Sequence, residues 1–483
     1  MYLGLDLGTS GVKALLIDGE QRVVGSAHGE LDVSRPHPGW SEQDPAQWIK
    51  ACETAIDGLR ATHPKEFAAI AGIGLSGQMH GATLLDENDK VLRPCILWND
   101  TRSYKEAAEL DADPAFRAIT GNIVFPGFTA PKLVWVSRNE PDIFSRTRKI
   151  LLPKDYLRLW LTGEYVSDMS DSAGTSWLDT GARKWSSELL SKTGLTENHM
   201  PKLAEGSDAT GTLRAELTAR WGISNAPVVA GGAGDNAASA CGMGTVQPGH
   251  AFVSLGTSGV LFAANGAYQP KPESAVHAFC HALPHTWHQM GVILSAASAL
   301  DWFSRITGTS AQALDGELGD KLNAPGITTF LPYLSGERTP YNDAKIRGVF
   351  SGLDHETDRK AMTQAVLEGV AFAIRDNLVA LQSAGTEIKS LIAVGGGSRS
   401  AYWLKSIATA LNVPISLPEE GDFGAAFGAA RLGLIAASGV DPFAICTPPR
   451  TAQTIEPEQA LISSYDEAYH RYHALYPALR PLS

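Results

Sequence analysis

Cysteine is scarce in this sequence: five residues among 483 (Cys52, Cys95, Cys241, Cys280 and Cys446), an odd set without a C-x-x-C pair. That pattern argues against a disulfide framework and suits free structural thiols in a reducing compartment. No apolar run reaches the length of a membrane span, so no bilayer-crossing segment is expected. Basic charge is also short, with 40 Lys and Arg against 52 Asp and Glu and a formal net charge of −12. Without a clustered basic stripe there is no nucleic-acid surface, and an anionic ligand must be held by local geometry. The first residues carry no basic n-region and reach Asp6 at once, unlike a signal peptide, so the expected localisation is cytoplasmic. No G-x-x-x-x-G-K-[ST] segment is present, which excludes a P-loop.

What is present is a repeat. The hexapeptide LGTSGV occurs at residues 7–12 and again at 255–260, each time flanked by apolar segments that read as strands. A chain of 483 residues exceeds one ordinary core, and the repeat suggests an internal duplication into two lobes. The first half reads β-β-β-α-β: strands at 2–7, 11–18 and 22–32, a helix opened by Asp44 and Pro45, then the strand AIAGIGLSG. The second half follows the same order loosely, with strands at 251–264, a helix near 359–384, the strand LIAVGGG, a helix at 401–411 and the strand VPISLP. The Ala-rich segment FGAAFGAARLGLIAAS reads as a helix whose small residues allow close backbone approach. The boundary between halves falls near residue 245, in a Gly-rich stretch suited to two lobes that rotate about a shared cleft.

A turn of Gly, Thr, Ser and Gly can bring backbone N–H groups and hydroxyls onto an anion without a basic side chain. The residues alone leave a plain hairpin open as well, and the duplication favours phosphate binding. Asp6 ends the first strand beside its turn, where a carboxylate next to a triphosphate would hold Mg²⁺ directly or through water, or serve only as a strand-end acid. In VVAGGAGDNAASACGMG, residues 232–237 fit G-x-G-x-x-A, but no Asp or Glu follows Asp235 until Glu273, which argues against a dinucleotide fingerprint. The same isolation places Asp235 where it could deprotonate an acceptor hydroxyl, or cap the following helix. His80, in QMHG after a strand end, is placed to bond a sugar hydroxyl or to act structurally. LIAVGGGSRS offers bare backbone at Gly395, Gly396 and Gly397 to a nucleoside. HAFCHALPHTWH holds zinc-type ligands, yet it reads as a hairpin near Pro284 that splits His277 and His281 from Cys280, so ordinary strand histidines are expected.

Together these residues resemble the actin-like, ribonuclease-H-like ATPase fold of sugar kinases, specifically the FGGY carbohydrate kinases, from Met1 to about Ser438. GFTAPKLVWVSRN, including Lys132 and Trp135, fits the family's first signature, and GVFSGLDHETDRKAMTQAVLEG resembles the second with a departure at Ala361. GWSEQDP, SGQMHGATLLD, ILWND, LLPKDYLRLWLTGE, DMSDSAGT and LSGERTP are most similar to the members that act on D-xylulose.

The resemblance implies an α/β fold of two actin-like domains around a central cleft, and ATP-dependent phosphorylation of D-xylulose to D-xylulose 5-phosphate. The expected division is 1–245 for a sugar-binding lobe, 246–438 for an ATP-binding lobe and 439–483 for a helical tail. By resemblance Asp235 is the catalytic base, and Met79, His80 and Trp98 contact the sugar with it. Gly8, Thr9, Ser10, Gly256, Thr257, Ser258, Gly395, Gly396, Gly397 and Ser398 hold the nucleotide, and Asp6 the Mg²⁺. The partners expected are a small-molecule sugar and ATP, with no nucleic acid and no membrane, and a second copy of the chain in a homodimer. Ribulose, gluconate or glycerol as acceptor is the nearer alternative, and a non-enzymatic actin-like or chaperone-type ATPase the farther one.

Overall fold

A computed structural model of the chain describes residues 1–419, 421 and 423–482. The fold is α/β and is built on two mixed sheets. In the first, strands run in the order Ala209–Thr212, Val228–Ala230, Gly72–Gly77, Tyr2–Leu7, Gly11–Ile17, Val23–Glu30, and Ala233–Gly234 continues beside the end of Gly72–Gly77. In the second the order is His277–Cys280, Trp287–Ile293, Gly259–Asn265, His250–Leu255, Ser390–Val394, Ile415–Pro418, Thr451–Ile455. Each sheet therefore has a strand that enters an LGTSGV turn, pairs antiparallel with the strand leaving it, and pairs parallel with a strand arriving after a helix.

The two hexapeptides close different hairpins. Leu7 pairs with Val12, whereas the equivalent Leu255 pairs with Gly259, one residue tighter. Identical local sequence leaves the register to its surroundings. The first turn is held by Gly8 N–H on the Gly11 carbonyl and Leu31 N–H on the Ser10 carbonyl. The second is tied to the start of the helix Ala297–Thr307, with Ala297 N–H on the Gly256 carbonyl and Ala296 N–H on the Thr257 carbonyl.

The helix Pro45–Thr62 begins as the sequence suggests, the Asp44 side chain accepting from Ala46 N–H with Pro45 in the first turn. Its apolar stripe of Trp48, Cys52, Ile56 and Leu59 is buried in one core with Leu3, Leu5, Ile73 and Leu75 of the first sheet. Full burial of such side chains contributes roughly 1.5–3 kcal/mol each. In the second lobe the 25-residue helix Arg359–Ser383 takes the equivalent place, capped by Asp358 on Ala361 N–H.

Two segments pack differently from the expected division. The described part of the expected tail, residues 439–482, is not an appended helix: Thr451–Ile455 pairs antiparallel with Ile415–Pro418, and Ile462–Leu479 buries Tyr465, Tyr469, Tyr472 and Tyr476 in the second core. Burial of four aromatic rings ties the segment to that lobe. The helix Ala425–Ser438, late in the chain, packs against the first sheet and the helix Asp235–Met243. The approach is backbone to backbone, for a Cβ on Gly74 would lie 1.8 Å from the Ala429 carbonyl oxygen and one on Gly428 1.8 Å from that of Ala238. The two halves are joined here by a close, side-chain-poor contact rather than by a loose linker. Among the described residues no helix is long and apolar enough to cross a membrane.

Candidate active site

The first sheet brings the acids together. Asp6 lies in register with Ser76 on the central strand, and Ser76 with Ala233, two residues before Asp235. Gly232, at φ 88°, makes the left-handed turn that lets the chain leave Val228–Ala230, re-pair briefly at Ala233–Gly234 and start a helix. Gly234 is the N-cap of that helix and Asp235 its first residue, so Asp235 is not the cap. Its Oδ1 accepts from the backbone N–H of Asn236 at 2.7 Å and from Asn236 Nδ2 at 2.9 Å. Burial, and next the charge of Asp6, push its carboxyl up to about 6 despite those bonds.

Beneath this turn Ser170 Oγ accepts from Gly234 N–H at 3.1 Å and donates to Asp168 Oδ2 at 2.5 Å. Lys154 is fully buried among Asp155, Asp168 and Asp171, at 2.5, 2.9 and 3.4 Å. Three carboxylates and one ammonium cannot all remain charged out of water, and burial drives Asp171 well above the usual carboxylate range. This cluster is the floor on which Gly234 and Asp235 rest.

His80 stands across from it at φ 70°, a left-handed conformation costing about 1–3 kcal/mol for a residue with a Cβ. Three bonds hold it: Nδ1 to the Gly174 carbonyl at 2.7 Å, and its own carbonyl accepting from Thr129 Oγ1 at 3.1 Å and Lys132 Nζ at 2.8 Å. Lys132 also donates to the Gly127 carbonyl at 2.8 Å, and its burial pulls it down to about 7. The His80 ring stacks on Phe128 at 4.5 Å, beside Phe125, His277 and Phe279. Burial, then the Lys132 charge, lower its pKa to about 3, so the ring is neutral. Met79 is buried against Gly234, where a Cβ would lie 3.0 Å from its Sδ. Asp6, Asp235, Met79 and His80 are thus gathered as the sequence suggests.

The turn at residues 8–10 is wired differently from expectation. Thr9 Oγ1 donates to Gln78 Oε1 at 3.0 Å and accepts from Trp98 Nε1 at 3.0 Å, and its carbonyl accepts from Gln43 Nε2 at 2.7 Å. In this arrangement the hydroxyl proton of Thr9 is directed to Gln78 within the lobe and the indole N–H of Trp98 to Thr9. Ser10, Thr257 and Ser258 are exposed. The segment 395–398 does meet the second turn: Gly395, at φ 91°, and Gly397 lie where a Cβ would be 2.8 Å from the Leu255 carbonyl oxygen and 2.9 Å from Leu255 Cβ. Ser398 Oγ folds back onto the Gly395 carbonyl at 2.7 Å. A cavity of about 270 Å³ lined by Asn236, Ser239, Ser254, Val394 and Gly424 lies between the helix that carries Asp235 and the second sheet.

The histidine-rich segment forms the expected hairpin, with His277 opposite Met290 and Cys280 opposite Trp287, and among the described residues no group of His, Cys, Asp and Glu could hold a metal ion by itself. Sequence reasoning missed Gln78, Phe125, Phe128, Gly174 and the Lys154 cluster. GFTAPK and DMSDSAGT carried that signal as segments but assigned no role to these side chains.

Two family models match the chain: the N-terminal domain of the FGGY family of carbohydrate kinases over residues 1–242 and its C-terminal domain over residues 251–437. The chain is 48% identical to a xylulose kinase of Escherichia coli (strain K12), with 100% of both covered. With a xylulose kinase of Bacillus subtilis (strain 168) the identity is 33%, covering 100% of this chain and 97% of that one. The crystal structure of a xyloylose kinase from Brucella ovis matches at a TM-score of 0.99 and 83% identity over 100% of each chain. That of a xylulose kinase from Rhodospirillum rubrum matches at 0.93 and 30%, covering 100% of this chain and 99% of that one. A duplicated strand-turn-strand frame, paired acids at its centre and a match spanning both halves lead to one assignment: the chain belongs to the FGGY family of carbohydrate kinases.

Proposed function

We propose that the protein transfers the γ-phosphoryl group of ATP to the C5 hydroxyl of D-xylulose, giving D-xylulose 5-phosphate and ADP. The observation that carries this reading is Asp235, raised to about 6 beside Asp6 and facing the strand end that presents Met79 and His80. A base of that basicity is largely ionised at neutral pH yet basic enough to accept a hydroxyl proton during the transfer. Asp235 takes the proton as the C5 oxygen attacks the γ-phosphorus in line and the bond to ADP breaks. His80 accepts a hydrogen bond from a sugar hydroxyl and fixes the chain's position, while Met79 closes the apolar wall.

The donor set suits Mg²⁺. Asp6 lies close enough for its charge to raise Asp235, and one or two carboxylates completed by phosphate oxygens and water are what this hard cation uses. Asp6 would hold it, and when bound it neutralises charge on the β- and γ-phosphates. The backbone at residues 8–10, 256–258 and 395–398 would receive the phosphates and nucleoside, the sugar lying mainly on the first lobe. Closure of the lobes keeps water, a competing acceptor, from the γ-phosphate.

A coupled ADP-release assay across ketoses and polyols tests the proposal. Xylulose is expected to give the highest kcat/KM. A higher value for ribulose, gluconate or glycerol reassigns the acceptor, and sugar-independent ATP turnover removes the kinase reading.

A further inference from the structure

Arg338 belongs to a second-lobe loop pinned by Thr339, whose Oγ1 accepts from Val292 N–H at 3.1 Å and donates to the Ala275 carbonyl at 2.9 Å. The residue is half-buried as a whole, but its guanidinium is largely desolvated, crosses to the first lobe and lies 4.8 Å from the centre of the Phe125 ring. Phe125 touches Phe128 and His277 at 5.5 and 5.3 Å, and Phe128 is the ring stacked on His80. Its charge acts on both His80 and His277, whereas Asp235 feels Asp6. Through the Phe125–Phe128 contact the cation therefore sits at the His80 end of the site.

Among the described residues the guanidinium has no carboxylate or hydrogen-bond partner. The adjacent Glu337 gives its Oε1 to the N–H groups of Arg338 and Leu294 at 2.8 and 3.1 Å, and burial pushes it up to about 8, which leaves it protonated at neutral pH. Five fixed N–H donors that cannot accept thus lie over Phe125, one ring away from the Phe128 that stacks on His80, while Asp235 and neutral His80 offer acceptors.

Substrate chemistry supplies the complement. The proposed transfer requires a free C5 hydroxyl, and ring closure of a 2-ketopentose consumes that hydroxyl, so the reacting form is the open chain. In that form the hydroxyls can donate to Asp235 and His80. The C2 carbonyl oxygen can only accept. We propose that Arg338, reaching from the second lobe over Phe125, donates to the C2 carbonyl oxygen of the open-chain ketose and sets the preference for ketose over polyol. This rests on the acceptor being a ketose, and it makes closure of the lobes depend on the sugar being present.

The test compares D-xylulose with xylitol and D-arabitol, the two alcohols formed by reducing its C2 carbonyl. Calorimetric affinity and kcat/KM are measured for the wild type, Arg338→Ala and Arg338→Lys. A hydrogen bond from a charged donor corresponds to about 10- to 100-fold in affinity. Arg338→Ala is expected to lose that much with xylulose, to lose clearly less with the alcohols, whose C2 hydroxyl can turn to other partners, and to keep ATP affinity and melting temperature. Arg338→Lys, which keeps a donor, should recover part of the ketose preference. Equal losses on ketose and alcohols, or no loss on either, would overturn the proposal. If Arg338→Ala does not fold, the ketose-to-alcohol ratio of Arg338→Lys decides: an unchanged ratio overturns it and a reduced one supports it. A wild type that binds the ketose in preference to its alcohols but does not phosphorylate it would refute the proposed function and not this assignment.

Discussion

The Nδ1 of His80 donates to the carbonyl oxygen of Gly174 at 2.7 Å, because a carbonyl can only accept. The ring is neutral, so the proton must be on Nδ1, and Nε2 is an acceptor. His80→Ala is expected to raise the KM for xylulose by about tenfold or more and to leave the KM for ATP nearly unchanged. Because the pKa of His80 is lowered to about 3, its share of sugar binding should stay constant from pH 8 down to pH 5. Calorimetric titration with xylulose across that range checks it; a tenfold loss centred near pH 6.5 would show a ring that protonates normally.

Asp235→Asn keeps the size of the side chain and removes the base. General-base contributions run to about 10²–10⁴-fold, and a kcat loss in that range with xylulose still bound is expected. Asp235 must be ionised to act, so raising its pKa to about 6 makes wild-type kcat fall as pH drops through that value. The Asn variant should lose that acidic limb. A helix-capping role is already disfavoured by Gly234 occupying the cap, and it would give near-normal kcat with about 1 kcal/mol less stability.

The different wiring of the two turns yields a contrast. Thr257 is exposed and its backbone carbonyl is engaged by Ser298 Oγ at 2.8 Å, so Thr257→Val should weaken ATP binding without lowering the melting temperature. Thr9→Val breaks the bonds to Gln78 and Trp98 and should lower stability by about 1–3 kcal/mol. Nucleotide titration and thermal unfolding of both variants separate the roles, and the same response from both would refute the contrast.

Lys132→Met removes the donor that holds the His80 and Gly127 carbonyls. The KM for xylulose should rise while that for ATP holds. The pKa of Lys132 is about 7 folded against an ordinary 10.5, so the unfolded chain binds more protons between those values and wild-type stability gains with rising pH there. The stability difference between wild type and variant should therefore grow by up to about 1.4 kcal/mol per pH unit from pH 7 toward 10. Urea unfolding at three pH values measures it, and a flat difference would mean that Lys132 is not desolvated.

Much of the frame was legible in local sequence because it rests on local physics. Turn residues stop strands at Leu7 and Leu255, Asp44 and Pro45 start a helix, and the small residues of 425–438 announce close packing wherever the helix lands. Asp6, His80 and Asp235 could be named because each follows or ends a strand aimed at the same edge, whereas Met79 is named only through the family resemblance. The partner of the 425–438 helix could not be read, since smoothness specifies close approach and not which surface is approached. Nor could the sequence separate two identical hexapeptides: only a Gln78–Thr9–Trp98 network on one side and the start of the helix Ala297–Thr307 on the other decide a one-residue difference in register. The same holds for Arg338 over Phe125 and for Ser170 under Gly234, pairs separated by tens to hundreds of residues. Backbone periodicity fixes where side chains point along one element, but distances between elements are set by how the layers pack, and there tertiary structure alone decides which charge faces which acceptor.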